Sequence, residues 1–386
     1  MRKKLFGRTG AELSVLGFGC MRLPLADPKD PAKIDQGLAI AMIRRGIDGG
    51  INYVDSAWPY HGNSRVEPGE SEPLVGKALQ NGYRDKVYLA TKMPTWFIEN
   101  KKQMNEILDR QLSRLKTSHI DFYLAHNLNN QVWPAIKEKG LLEFMDEALK
   151  DGRIKQAGFS FHDRYDLFEN IVESYDWSLA QIQYNYLDIE YQAGRRGLKL
   201  AAAKGLGVSI MEPLRGGFLI NHIPVEMKKM LNEMRPEWSL ADWAFRWLWN
   251  EPEVGLVLSG MSTMEQVEEN LTIADSATVL SEKEIDALAQ VRNIFRERLK
   301  ANCTGCGYCL PCPEGVNIPK NFMFLNDYYL ADAEDVRDRS RVLVKALIRP
   351  DEIFGKCVHC RQCEEKCPQN LPVSELMEDM AAVFGN

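Results

Sequence analysis

The chain has 386 residues, of which 45% are hydrophobic and 26% are charged, and its formal net charge at pH 7 is -6. These values are typical of a globular protein with one large core and a small additional domain, and they exclude a largely disordered chain. The acidic balance argues against a nucleic-acid partner, because phosphate binding relies on a basic surface. No stretch of about 18 uncharged apolar residues occurs, so we expect neither a membrane span nor secretion and predict a cytoplasmic protein.

The chain begins with a predicted hairpin and continues with alternating short strands and longer helices. Residues 1–13 predict a hairpin around the turn GRTG, in a position to cap the floor of a barrel. The β-type runs that follow are VLGFG, INYVD, KVYLATK, IDFYLAH, IKQAGFS, LAQIQYN, GVSIM and VGLVLS. Each precedes a helical pattern, which gives eight strand-helix units within about 275 residues. This rhythm predicts an α/β fold, a (β/α)8 TIM barrel, with a doubly wound open sheet as the alternative.

Polar side chains at the ends of these runs favour the barrel. They are Asp55, Lys92, His126, Ser160, Gln183 and Glu212. In a closed barrel the carboxyl ends of all strands meet at one face, so these side chains can share a site. In an open sheet, strands far from the switch point would keep some of them apart.

A second domain follows the barrel. The stretch SEKEIDALAQVRNIFRERL predicts an amphipathic helix that leads into a cysteine-rich tail. Within the tail, the segments NFMFLNDYYLADA, DRSRVLVKALI and VSELMEDMAAVF predict further helices. We therefore predict a barrel domain over residues 1–296 and a small, mainly helical, ferredoxin-like domain over residues 297–386.

Three of these strand-end residues, together with Tyr60 five residues after Asp55, suit acid catalysis. A tyrosine such as Tyr60 is a poor proton donor at pH 7, but a neighbouring cation such as Lys92 lowers the pKa of its hydroxyl. A buried carboxylate, Asp55, can hold that lysine charged and oriented. Tyr60 can then protonate a carbonyl oxygen that His126 orients by hydrogen bonding.

The sequence here resembles the aldo-keto reductase family. The motifs that carry the resemblance, in the expected order, are LGFGCMRLP, NYVDSAWPYHG, GESEPLVGKAL, LATK, DFYLAH and GMSTMEQVEEN. The resemblance covers roughly the first 290 residues. It implies that Asp55, Tyr60, Lys92 and His126 form a catalytic tetrad, and that a hydride passes between a nicotinamide cofactor and a carbonyl compound or alcohol.

The same resemblance implies a set of cofactor contacts. They are Ser160, Gln183, Met211, Glu212, Leu214, Gly260, Ser262, Gln266, Glu269 and Asn270. NADPH in preference to NADH is the family expectation, although the segment Thr263–Gln266 lacks the basic residue that many members carry there. Met211 stands where an aromatic side chain commonly stacks on the nicotinamide. A flavin in place of nicotinamide therefore stays open as an alternative.

Eight of the nine cysteines form two groups in the tail. The groups are Cys303, Cys306, Cys309 and Cys312, and then Cys357, Cys360, Cys363 and Cys367, each followed by proline. In two-cluster ferredoxins the cysteine before the proline serves the other cluster. This spacing predicts two [4Fe-4S] clusters, one on Cys303, Cys306, Cys309 and Cys367 and the other on the remaining four cysteines. Two all-cysteine zinc sites are the alternative, but zinc ligands usually form pairs separated by a spacer.

The tail resembles dicluster ferredoxin domains, and the whole chain is similar to the branch of aldo-keto reductases that carries one. The favoured function is nicotinamide-dependent reduction of a carbonyl compound, or the reverse oxidation. A second hypothesis is an electron-transfer oxidoreductase, in which the clusters connect a ferredoxin-like or other redox partner to a cofactor in the barrel. A third is a redox-sensing module without catalysis, which would not require a proton donor.

Overall fold

The computed structural model describes residues 1–276, 278–331 and 334–385. The chain folds into two compact units, and neither is a single continuous segment. The first unit comprises Met1–Tyr184, Asp188–Pro213 and Leu248–Val279, and the second comprises Asn185–Leu187, Leu214–Trp247 and Leu280–Asn386. The predicted domain division after residue 296 stays a prediction.

The N-terminal hairpin is present and lies beneath the barrel. Strands β1 (Lys3–Leu5) and β2 (Glu12–Ser14) pair antiparallel. Phe6, in the turn between them, is fully buried, and its ring packs edge-on against Phe122 at a centroid distance of 5.6 Å. Because Phe122 lies near the start of its strand, this contact closes the amino-terminal end of the barrel.

Eight parallel strands form a closed barrel in the first unit. They are β3 (Leu16–Gly19), β4 (Tyr53–Asp55), β5 (Tyr88–Met93), β6 (Ile120–Leu128), β7 (Ile154–Phe161), β8 (Leu179–Gln183), β9 (Gly207–Met211) and β10 (Leu256–Gly260). Each strand pairs with the next in chain order, and β10 closes the ring onto β3. Every predicted strand is present, so the (β/α)8 barrel is confirmed and the open sheet is excluded.

Helices follow the strands and continue into the tail. In chain order they are α1 (Gln36–Asp48), α2 (Ser71–Ala78), α3 (Lys101–Leu115), α4 (Val132–Glu138), α5 (Leu141–Lys150), α6 (Tyr165–Glu173), α7 (Gly194–Ala203), α8 (Phe218–Asn221), α9 (Val225–Met234), α10 (Leu240–Trp249), α11 (Met264–Asp275), α12 (Glu282–Arg298), α13 (Ile318–Leu330), α14 (Glu334–Leu347), α15 (Gln362–Lys366) and α16 (Val373–Phe384). Among the described helices, none is both long and apolar enough to cross a membrane.

The second unit has a hydrophobic core of its own. Buried side chains from α13, α14 and α16 meet there, among them Phe322, Val344 and Met380. The segment Leu214–Trp247, which follows β9 and includes most of α10, belongs to this unit as well and is named the β9–α10 segment. His222 Nδ1 lies 2.5 Å from Asp327 Oδ1 of α13, and Arg298 of α12 donates to Glu226 of α9 at 3.3 Å.

Candidate active site and cluster cysteines

The four residues of the predicted tetrad lie together at the carboxyl ends of β4, β5 and β6. Lys92 Nζ donates to Asp55 Oδ2 at 2.6 Å and to Tyr60 Oη at 3.3 Å. A third bond runs from the same ammonium group to the carbonyl oxygen of Ser56 at 2.8 Å. The ring of His126 stands edge-on to that of Tyr60, with centroids 6.0 Å apart. The lysine thus connects the carboxylate to the phenol, and the imidazole faces the phenol ring.

Burial dominates the electrostatics of this site. The side chain of Lys92 is fully buried and that of Asp55 is 3% exposed. Burial raises the pKa of Asp55 above its usual value, although the Lys92 charge opposes the shift. Burial also raises the pKa of Tyr60 well above 10, and the Asp55 and Glu212 charges add to that rise. The lowering of the Tyr60 pKa that the sequence predicts is therefore absent, and the phenol is held in its protonated form.

His126 is held as a neutral imidazole. Its pKa lies well below 6.5 because the ring is buried and because the Lys92 and Arg65 charges disfavour a further positive charge. Trp96 packs against it with ring centroids 5.2 Å apart. Its Nδ1 atom is buried and has no hydrogen-bond partner among the described residues. A neutral imidazole in this position can donate one hydrogen bond to a substrate oxygen.

The backbone is strained immediately after three of the candidate positions. His61 (φ 59°), Asn127 (φ 59°) and Glu212 (φ 56°) follow Tyr60, His126 and Met211 in the left-handed region, which non-glycine residues rarely adopt. Such conformations concentrate at functional sites, where the surrounding structure enforces them. The sequence gives no sign of this strain, because none of these positions is a glycine.

Three predicted nicotinamide contacts lie at the next strand ends. Ser160 Oγ accepts a hydrogen bond from the backbone N–H of Asn127 at 2.8 Å. Gln183 Nε2 donates to Asp188 Oδ2 at 2.9 Å. Met211 Sδ accepts from Gln181 Nε2 at 3.7 Å. These bonds fix the three side chains on the same face of the barrel as the tetrad.

Predicted cofactor contacts also lie at the end of β10 (Gly260), in the loop before α11 (Ser262) and in the first turn of α11 (Gln266). Ser262 Oγ donates to the carbonyl oxygen of Arg22 at 2.7 Å, and Gln266 Oε1 accepts from the Ser262 N–H at 2.8 Å. A Cβ at Gly260 would lie 3.3–3.4 Å from the Arg22 side chain, so glycine leaves room for that arginine. Sequence reasoning missed Arg22, although it is the cation of the motif LGFGCMRLP.

Three further predicted contacts do not join this group in the same way. Asn270 is buried, and its amide donates to Ser259 Oγ at 3.0 Å, which ties α11 to β10. Glu269 lies on α11 with an exposed side chain. Leu214 belongs to the second compact unit, where its carbonyl oxygen accepts from the Leu219 N–H.

Four cysteines line one cavity of the second unit. They are Cys303, Cys306, Cys309 and Cys367. The wall includes the apolar side chains of Ile318, Pro319, Phe322, Leu371 and Val373, and the cavity is partly open to solvent. Burial raises the pKa of the Cys309 thiol, and the neighbouring cysteines raise it further. Four thiolates in one cavity would need a compensating positive charge, as ligands of a metal centre have.

Backbone N–H groups point at sulfur atoms of this cavity. Gly305 N donates to Cys303 Sγ at 3.4 Å, and the N–H groups of Leu371, Gln369 and Asn370 bond Cys367. Hydrogen bonds of this kind tune the reduction potential of iron-sulfur clusters. The donor set therefore fits a cluster.

The remaining four cysteines form a more exposed group. Burial raises the pKa of Cys363 to about 11, and its charged neighbours include Cys357 and Cys312. Cys360 is exposed, whereas the other cysteines of both groups are partly buried. Among the described residues, no three histidine, cysteine, aspartate or glutamate side chains converge closely enough to hold a single metal ion.

The fold is a closed (β/α)8 barrel with buried ionisable side chains at the carboxyl ends of its strands. The family model of the aldo/keto reductase family matches residues 15–293, and the chain belongs to that family. A second family model, for a 4Fe-4S dicluster domain, matches residues 302–371. The protein is therefore an oxidoreductase of the aldo-keto reductase type that carries a 4Fe-4S dicluster domain, as the sequence predicts.

Individual relatives agree with this assignment. The chain is 26% identical over 313 residues to the uncharacterized oxidoreductase YqkF of Bacillus subtilis (strain 168), which covers 75% of this chain and 95% of the relative. It resembles the holo form of aldo-keto reductase AKR11C1 from Bacillus halodurans at a TM-score of 0.62 and 25% identity, over 75% of this chain and 96% of that one. An aldo-keto reductase from Klebsiella pneumoniae in complex with NADPH shares the fold at a TM-score of 0.60 and 24% identity, over 76% of this chain and 96% of that one.

Proposed function

We propose that this protein reduces an aldehyde or ketone with a nicotinamide cofactor, NADPH in preference to NADH, or catalyses the reverse oxidation of an alcohol. The observation that carries the proposal is the buried hydrogen-bonded series from Asp55 through Lys92 to Tyr60, with neutral His126 beside the phenol. A binding module has no need of a buried proton donor held by a charged pair.

Each residue of the tetrad has a distinct role in this proposal. Tyr60 donates the proton from its Oη to the carbonyl oxygen, and its high pKa keeps that proton in place until the reaction. Lys92 stabilises the phenolate that remains, and Asp55 keeps Lys92 oriented. His126 donates a hydrogen bond to the same oxygen and thereby stabilises the charge that develops on it. A bound nicotinamide supplies the hydride.

The β10–α11 loop and the neighbouring strand ends would hold that cofactor. Ser160, Gln183 and Met211 lie on the tetrad side and suit the nicotinamide end. Ser262, Gln266 and the amino terminus of α11 suit its phosphates, because the first N–H groups of a helix bind anions. The Arg22 side chain beside Gly260 adds the cation that the segment Thr263–Gln266 lacks.

We also propose that the tail binds two [4Fe-4S] clusters with crossed ligands. The cavity of Cys303, Cys306, Cys309 and Cys367 supports this pairing, since its fourth cysteine comes from the distant group. The proximity of Cys312 and Cys357 to Cys363 supports the second set.

This four-cysteine cavity also favours a second candidate function, in which the clusters pass single electrons between a redox partner and a cofactor in the barrel. The two functions differ in one absorbance measurement on anaerobically prepared protein. Bleaching of the iron-sulfur shoulder by NADPH supports electron coupling, whereas an unbleached shoulder with carbonyl-dependent NADPH oxidation supports the first proposal. Flavin bands would identify a different barrel cofactor.

Replacement of the proton donor tests the proposed function. Y60F should lower kcat for carbonyl reduction by about 100-fold to 10,000-fold, because that is the usual contribution of a positioned general acid. Y83F is the matched control, since the Tyr83 hydroxyl bonds Asp48 on the outside of the barrel. A kcat of Y60F equal to that of the wild type would contradict the proposal.

A further inference from the structure

A guanidinium group lies beside the tetrad in the first unit. Arg65 stacks on the indole of Trp96, with Cζ 4.5 Å from the ring centroid, and Trp96 in turn packs on His126. Its charge is one of those that lower the pKa of His126. Arg65 belongs to the loop that follows Tyr60, so it reaches the site from the same segment as the proton donor.

Polar donors in this cluster are withdrawn from solvent. Arg65 Nε and Nη2 are both buried. The indole Nε1 of Trp96 is buried too, and it has no hydrogen-bond partner in the part of the chain that the structure describes. A buried N–H without a partner is costly, which indicates a ligand acceptor at this position. A guanidinium matches the planar oxygen pair of a carboxylate, and an indole N–H can donate a further hydrogen bond to the same group.

We propose that the substrate is a carbonyl compound that carries a carboxylate group, and that Arg65 and Trp96 bind this carboxylate while Tyr60 and His126 hold the carbonyl oxygen. This inference rests on the proposed carbonyl reduction and adds the substrate class to it. Because His126 is neutral, it does not compete with Arg65 for the charge of the carboxylate. Stacking on Trp96 holds the guanidinium in one plane and reduces the entropy lost on binding.

Paired substrates test the proposal through turnover. Omega-oxo acids of two to five carbons and the n-alkanals of the same length are compared as substrates with NADPH. The wild type should prefer at least one acid to its alkanal by about tenfold or more in kcat/KM. R65Q should lower kcat/KM for that acid by about 10- to 100-fold, because the loss of one charge-assisted hydrogen bond has an effect of that size. Its kcat/KM for the alkanal should fall by far less. For R65K, kcat/KM for the acid should lie between those of the wild type and R65Q, because lysine keeps the charge but lacks the planar guanidinium.

R44Q is the matched control, since Arg44 also stacks on an aromatic ring, 4.8 Å from the Tyr83 centroid, on the outer surface. R44Q should leave kcat/KM unchanged for both the acid and the alkanal. Equal kcat/KM for acids and alkanals in the wild type overturns the proposal, and so does an equal loss on both substrates in R65Q.

A binding measurement separates this inference from the proposed function. Omega-hydroxy acids and the matching n-alcohols are titrated into the protein by calorimetry in the presence of NADP. Tighter binding of the hydroxy acids, weakened by R65Q and by W96F, supports the carboxylate site even if no aldehyde is reduced. Equal binding of acids and alcohols overturns it even if aldehydes are reduced.

Discussion

At the residue scale, the phenol of Tyr60 shows how burial can outweigh a neighbouring cation. Its hydroxyl lies 3.3 Å from the Lys92 ammonium group, yet its pKa is raised well above 10. Removal from water disfavours the phenolate more strongly than the cation favours it. The consequence is a phenol that does not ionise over the physiological range.

This gives a direct prediction for the pH dependence of catalysis. In the proposed mechanism reduction requires the protonated phenol and neutral His126, so kcat/KM for a carbonyl substrate should stay constant from about pH 7 to about pH 10. Alcohol oxidation requires the phenolate, so its kcat/KM should rise about tenfold per pH unit over the same range. Steady-state kinetics in both directions check this, and a fall in the reductive kcat/KM with a midpoint below about pH 10 would contradict it.

The buried pair of Asp55 and Lys92 gives a second residue-scale prediction. D55N leaves the lysine charge buried without a carboxylate, which should lower the free energy of unfolding by about 3 kcal/mol, measured by urea denaturation. E106Q is the control, because the pair of Lys102 and Glu106 is exposed and should cost less than about 0.5 kcal/mol. A D55N/K92M double variant that regains stability but not activity would separate the structural role from the catalytic one.

The sequence identified the polar residues that end strands, but it missed side chains that reach the site from loops. Arg22, Arg65 and Trp96 are examples. Each lies in a segment without periodicity, where nothing in the sequence reports the direction of a side chain. Their positions follow from tertiary contacts, such as the stacking of Arg65 on Trp96.

At the element scale, helix α2 approaches α3 most tightly at Gly76. A Cβ at Gly76 would lie 2.6 Å from the carbonyl oxygen of Arg114, inside contact distance of backbone that cannot move aside. The same interface carries Glu72, which accepts hydrogen bonds from Thr91 at 2.7 Å and Gln111 at 2.6 Å. Since Gln111 also bonds the carbonyl oxygen of Lys92, this interface supports strand β5 beneath the site.

Two helical glycines should therefore respond to alanine with opposite signs. G76A should lower the free energy of unfolding by about 1–3 kcal/mol, because overpacking forces α2 away from α3. G37A should raise it by about 0.5–1 kcal/mol, because Gly37 is exposed in α1 and its nearest heavy atom would be 3.6 Å from the new Cβ. Urea denaturation of both variants checks the pair. A loss of stability in G37A would show that the gain expected from helix propensity does not apply here.

Most elements could be predicted because their periods are strong. The helix over 101–115 and the strand over 207–211 have the bounds of their patterns. Helices α4, α8 and α9 were not predicted from the sequence; α4 and α8 span only 7 and 4 residues, too few for a clear helical period.

At the scale of the whole molecule, the second unit assembles segments that the sequence keeps apart. His222 and Asp327 are separated by 105 positions, yet their side chains are in contact. A domain boundary predicted from motifs divides the chain at one position, whereas these contacts join the β9–α10 segment to α12 and α13. No local sequence pattern in that segment predicts which helices it contacts.

The two cysteine groups give the last prediction, which concerns metal content. With all eight tail cysteines present, the anaerobically prepared protein should contain about eight iron atoms and about eight sulfides per chain, and two zinc ions would contradict the cluster assignment. C20S is the control, since Cys20 is buried in the barrel and its replacement should leave the iron content unchanged.

The two proposed clusters should also differ in their resistance to iron loss, because Cys360 is exposed while Cys309 lines the apolar cavity. An iron chelator with ferricyanide should therefore remove about half the iron quickly and the rest slowly, followed by absorbance and by electron paramagnetic resonance. In C360S the iron that is removed quickly should already be reduced or missing before the chelator is added. In C309S the iron that is removed slowly should be reduced instead. A single rate for all the iron in the wild type would show that the exposure of Cys360 does not distinguish the two sites.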